Sequence, residues 1–248
     1  MTRPWPKSAV SPATPPAHVS TGLEPGRCIS CAKDNHSATR EVMASVLEMQ
    51  FSKEHTAATS GISLGGQVAR IEQWPINPDG DPLTLVATID CRQAFDCTAA
   101  QCLPSDGLLY VFSTYSPSAY FLDNITYDGA ISKSGSQVSG YTAVVSGCDH
   151  ELHSPVPGIP QVAVMLREKV LAEHDIPLCS LVAIVPPKWA ELPPQLAVDY
   201  AFFCQFYSND FQAPFTDLFY LTDAVAYLYL RKKDSQAKAP GIFFVGTA

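Results

Sequence analysis

Positive charge is what this sequence has least of. Sixteen lysines and arginines stand against 24 aspartates and glutamates, a formal net charge of −8. Proteins that bind nucleic acid cluster their cations to neutralise phosphates. The densest cluster here is the short Arg231-Lys232-Lys233, so no nucleic-acid partner is expected. Long apolar runs are missing too. The best candidate, Leu178 to Val185, is broken by Pro186-Pro187, well short of the roughly 18 residues that a membrane-spanning helix needs. The opening MTRPWPKSAVSPATPP lacks the apolar centre of a secretory signal. The expectation is a cytoplasmic protein with no membrane partner. Cysteine is too sparse for a disulfide-stapled chain, with eight (28, 31, 91, 97, 102, 148, 179 and 204) in 248 residues. Several lie in apolar runs such as AFFCQF, where a reduced cysteine packs as a small hydrophobe, so free thiols are expected.

Signatures of catalysis are absent as well. There is no G-x-S-x-G elbow, P-loop, G-x-G-x-x-G or recognisable Cys-His arrangement. No catalytic residue and no cofactor is nominated, and His174-Asp175 reads as a surface pair.

What is present is the composition of a globular chain, 46% hydrophobic and 16% charged. Six prolines fall before position 39, so residues 1–38 read as a mobile Pro-rich tail ahead of one globular domain, 39–248. Val42, Val46 and Met49 predict a helix over Thr39 to Phe51, capped by Thr39. Val162, Leu166 and Val170 predict a second over Gln161 to Asp175, opened by Pro160. SGISLGG (60–66) reads as a loop. Trp74-Pro75 and the turn INPDGDP lead into a strand, Leu83 to Ile89, with no polar face, which predicts burial on both sides. Further strands are read at LLYVF, YFLDNITYDG, QVSGYTAVVSG, VDYAFFCQFYSND, AVAYLYLRKKD and GIFFVG. The expected fold class is α+β, mainly antiparallel sheet with a few helices. A shift of 117 positions lays LTLVATI (83–89) on YAFFCQF (200–206) and SDGLLYVF (105–112) on TDAVAYLY (222–229). Two similar sheet units, about 60–145 and 160–248, would produce that echo.

The chain resembles the YwqG-like family, bacterial proteins of unknown function. The resemblance rests on Leu64-Gly65-Gly66, Trp74-Pro75, Leu83 to Asp90 and Leu103-Pro104-Ser105-Asp106-Gly107-Leu108 in the first half. In the second half it rests on FCQFYSND (203–210), Thr222-Asp223-Ala224-Val225 and Arg231 to Asp234. It departs from the family where Thr88 replaces an expected Gln, which Gln205 keeps in the second half. Thr222 and Val225 stand where glycines are usual. Some proteins of this family occur beside secreted bacterial toxins, which implies an immunity role for those members.

Four constellations could carry function. Cys28, Cys31 and His36 have the spacing of a zinc half-site without a second pair, and surface thiols are the favoured reading. CDHELH (148–153) is dense in ligand-type side chains but spaces its histidines i,i+3, so a solvated loop is favoured. FYSNDFQAPFTDLFY (206–220) mixes large aromatics with Asp210 and Asp217. Exposed, Phe211 and Phe215 with those acids would suit a protein partner, although core packing is the simpler use of the rings. Finally Gln205, Asp210 and Asp223 would surround any cleft between the two sheet units. The leading expectation is a non-enzymatic binding protein, an immunity protein that blocks a toxin by contact. Its alternative is a small-molecule-binding protein or enzyme at that cleft.

Overall fold

A spacing of four is both one helical turn and an even number of strand steps, and this ambiguity decides the fold class. The computed structural model describes residues 43–52, 60–126, 140–172, 177–183, 192 and 194–246. Both segments expected as helices are strands: β1 (Met43–Ser52) and, in the second half, Val162–Ala172. Val162 and Leu166 share one side of their strand because four is a multiple of two. In β1 the period-two signal is hidden because both faces are covered, Val46 joining one apolar cluster and Met49 another. A ten-residue antiparallel ladder between these two strands, Met43↔Ala172 to Ser52↔Ala163, overrides local helix preference.

The remaining elements, in chain order, are β2 (Ile62–Leu64), β3 (Val68–Arg70), β4 (Thr84–Asp90), α1 (Cys91–Thr98), β5 (Leu108–Ser113), α2 (Leu122–Ile125), β6 (Thr142–Ser146), β7 (Glu151–His153), β8 (Val162–Ala172), β9 (Leu181–Ala183), α3 (Pro194–Ala197), β10 (Tyr200–Tyr207), β11 (Val225–Arg231) and β12 (Gly241–Gly246). Among the described residues only α1 exceeds one helical turn. The architecture is therefore nearly all-β, which corrects the α+β expectation. Smaller corrections go both ways. SGISLGG contains β2, CDHELH contains β7, and the expected strand YFLDNITYDG contains the short helix α2 instead. The expected tail, residues 1–38, lies outside the described residues, as do His174 and Asp175. Residues from Arg40 onward make one compact unit.

Ten strands form one antiparallel sheet in the order β12-β11-β10-β9-β1-β8-β2-β4-β5-β6, and β3 pairs with β7 in a second, small sheet. The large sheet reads the same from either end. Thr88 pairs with Tyr110 as Gln205 pairs with Tyr227, each 117 positions on. The register irregularity at Leu85/Ala87 recurs at Phe202/Cys204 under the same shift. The first strand of each half sits in the other half: β1 pairs with β9, and β8 pairs with β2.

The two outer strands, β6 and β12, meet and nearly close the sheet into a barrel. The Thr142 hydroxyl donates to the Phe243 carbonyl across this seam. A Cβ added to Gly241 would come within 3.1 Å of Val144 Cγ1 and 2.8 Å of the Tyr229 carbonyl. Alternation sends Met49, Leu64, Ile89, Val111, Phe206, Leu228 and Val245 into one central core. Outside it, Leu85, Tyr110 and Phe112 pack under Ile71, Trp74 and Leu83. Phe202, Tyr229 and Phe244 form the matching cluster of the other half, with Leu196 of α3. This explains why β4 has no polar face: its residues are buried on both sides. The turn ahead of it is pinned by Asn77, whose Oδ1 accepts from the amides of Asp79 (3.0 Å) and Asp81 (2.8 Å), with Gly80 at φ +95°. Trp74 then donates its indole N–H to the Leu83 carbonyl at 2.7 Å.

Candidate functional site

Polar residues in a sheet buried on both faces must find partners or reach the rim. Gln205 does the first. It is completely buried in β10, and its Nε2 donates to the carbonyls of Pro177 and Cys179, each at 2.8 Å. Asp210 approaches the same segment from the 3-10 turn Ser208–Asp210, its Oδ2 accepting the Ser180 amide at 2.7 Å. Burial raises the Asp210 pKa; the Ser180 hydrogen bond opposes that rise and the Glu48 charge adds to it. Nearby, Lys169 of β8 pairs with Glu48 of β1, and Gln50 donates to Glu48 at 2.9 Å. Gln205 and Asp210 thus brace the 177–180 segment, whereas Asp223 is an exposed turn residue just before β11.

Cysteines 91, 102, 148, 179 and 204 are free thiols. Burial pushes Cys91 up to about 12 and Cys102 and Cys179 up to about 11, and raises Cys204 well above its ordinary value. None of these four offers a thiolate nucleophile at neutral pH. Cys28, Cys31 and His36 lie outside the described residues. Among the described residues no group of three or more His, Cys, Asp and Glu side chains is arranged to hold a metal. His150 and His153 belong to a surface turn and to β7, where Cys148 Sγ accepts the His150 amide at 3.4 Å.

Phe211 and Phe215 are buried. Phe211 packs edge-on against Phe219 at 5.7 Å, and Phe215 lies tilted against Tyr115 at 5.1 Å. They fix the 211–224 loop from below rather than presenting it outward. Anchored this way, the loop meets the segment that follows β5 in a cleft of about 180 Å³, lined by residues that include Ser116, Tyr120, Phe121, Asp217 and Tyr220. The Ser116 Oγ accepts the Ala119 amide at 3.0 Å and shapes one wall. Tyr220 holds φ at +74°, unusual for a bulky residue, and donates its amide to the Asp217 carbonyl at 2.7 Å. That backbone presents its ring to Tyr120 (4.9 Å, 81°) and Phe121 (5.4 Å, 89°). Tyr120 donates its hydroxyl to Asp123 at 2.7 Å. Tyr115 reaches Asp217 with a long 3.4 Å hydrogen bond, and burial raises the Tyr115 pKa, with the Asp217 charge adding to it. Tyr120 (58%), Leu221 (43%) and Tyr220 (36%) stay exposed.

Sequence reasoning singled out Asp217 and missed its companions Tyr115 and Tyr120. Their only local signal is STYSPSAY, a Ser/Pro-rich turn with two tyrosines next to a strand. Among the described residues of the cleft no nucleophile–base pair is formed. The cleft offers phenol rings, one carboxylate and turn hydroxyls, groups that can recognise a ligand.

No curated protein matches the chain. Residues 64–146, from the end of β2 through β6, match the family model DUF1963, a domain of unknown function.

Proposed function

We propose that the protein is a cytoplasmic, non-enzymatic binding protein that recognises a protein partner through the Tyr120–Asp217–Tyr220 cleft. The observation that carries this reading is the exposure of two tyrosines around a half-buried carboxylate, with buried phenylalanines fixing the loop beneath them. Rigid aromatics with a polar handle are the side chains that anchor protein interfaces. The net charge of −8 favours a partner with a basic surface. The finer reading is that the chain is a YwqG-like protein acting as an immunity protein, as the motif resemblance implies. Its partner is then a toxin encoded by a neighbouring gene, blocked by direct contact. The test is a pull-down of the neighbouring gene product with the full chain, followed by rescue of cells expressing that product. Capture and rescue that both fail with Tyr120→Ala support the reading. No capture by the wild-type chain removes the toxin partner, and capture unaffected by Tyr120→Ala removes the cleft as the contact.

A further inference from the structure

Among the described residues, ion pairs join Arg70 to Glu151 and Lys169 to Glu48, and none reaches Asp217. The Asp217 carboxylate receives one long hydrogen bond among the described residues, from Tyr115, although an ionised carboxylate has room for about four donors. No lysine, arginine or histidine among the described residues lines the cleft. Its volume of about 180 Å³ is below the roughly 300–1,000 Å³ of drug-sized ligand sites and suits a single side chain. Tyr120 and Tyr220 meet edge to face and both remain exposed in the cleft that Asp217 also lines. A planar cation can use both features at once, stacking on a phenol while its N–H fork meets a carboxylate. A lysine ammonium is a compact, strongly hydrated point charge without the planar fork, so it uses the two features less well.

We infer that the cleft receives one arginine side chain of the partner, an assignment that rests on the protein-binding reading above. The guanidinium stacks on Tyr120 or Tyr220 and donates to Asp217.

The probe is N-acetyl-L-arginine amide, titrated into the full-length protein while the tyrosine ring resonances are followed by NMR. The neutral, nearly isosteric N-acetyl-L-citrulline amide is the control. The expected result is saturable shifts of the Tyr120 and Tyr220 rings with the arginine amide and binding about tenfold weaker with citrulline, the loss of one charge-assisted contact. Asp217→Asn and Tyr120→Leu should each weaken the arginine amide severalfold in proteins whose remaining spectrum is unchanged. Tyr120 is largely exposed, so its replacement leaves the core intact even if Asp217→Asn perturbs the loop. Equal response to citrulline, equal or tighter binding of the lysine amide, or wild-type affinity in Tyr120→Leu overturns the assignment. Failure of the pull-down removes the toxin partner, whereas failure of this titration removes the arginine site, so the two are read separately.

Discussion

Gln205 and Thr88 occupy corresponding register positions in the two halves and do different work. Gln205 supplies both donors that serve the Pro177 and Cys179 carbonyls inside the sheet. Gln205→Leu leaves those acceptors unpaired and should lower stability by roughly 2–4 kcal/mol in urea unfolding. Thr88 is partly exposed, and Thr88→Val should cost under about 1 kcal/mol. The missing Gln at 88 therefore marks where one half lacks an internal brace. Asp210 makes a prediction about pH. Its pKa is raised on folding, so the native state holds that proton longer than the unfolded chain. Its contribution to stability accordingly falls as pH rises above about 4, the ordinary carboxylate range. Asp210→Asn keeps an acceptor for the Ser180 amide and removes the charge. Urea midpoints measured from pH 4 to 7 should show the variant gaining on the wild type as pH rises; a constant difference would contradict the assigned cause.

At the scale of elements, legibility depended on whether a local rule had one solution. β4 was readable because a turn, Asn77 to Asp81, announces it and an apolar run follows. β1 and β8 were not, since valines and leucines four apart fit either period and only the distant partner strand decides between them. α1 went unread for the opposite reason. CRQAFDCT is short and largely polar, and its clearest signal is a single residue, Asp90, whose Oδ1 accepts the Gln93 amide at 3.0 Å. Asp90→Ala should lower stability by about 1 kcal/mol through loss of this cap. The β6–β12 seam is a second element-level feature with no local signature. Thr142 is buried there, and Thr142→Val keeps its shape while removing the donor to Phe243. A loss of about 1–2 kcal/mol is expected, visible as earlier hydrogen exchange in β6 and β12 than in β4 and β10. Unchanged exchange would show that the seam closes by packing alone.

For the whole molecule, acidity and placement act together. The sequence announced the charge of −8 and the aromatic-acidic loop. It also favoured core packing for the rings, as Phe211 and Phe215 show, but it did not announce that Tyr120, contributed by a segment about a hundred residues earlier, completes the surface. That pairing rests on contacts distant in sequence, Tyr120 and Phe121 against Tyr220, which no motif encodes. Once a partner is in hand, the charge predicts its kinetics. The association rate should fall by about tenfold between low and high salt, with a smaller change in dissociation, because steering acts before contact. Stopped-flow association at several ionic strengths measures this, and a salt-independent rate would argue against a basic partner surface. The exchange of first strands between halves sets the order in which the protein can assemble. Glu48 and Lys169, 121 residues apart, pair diagonally across the central ladder, where Glu48 stands opposite Arg167. During synthesis β1 waits for β8, and β2 emerges with one edge bare until β8 arrives to cover it. Contacts this distant make folding slow, and an uncovered edge invites other strands. The newborn first half is thus the stage most dependent on a chaperone's hold.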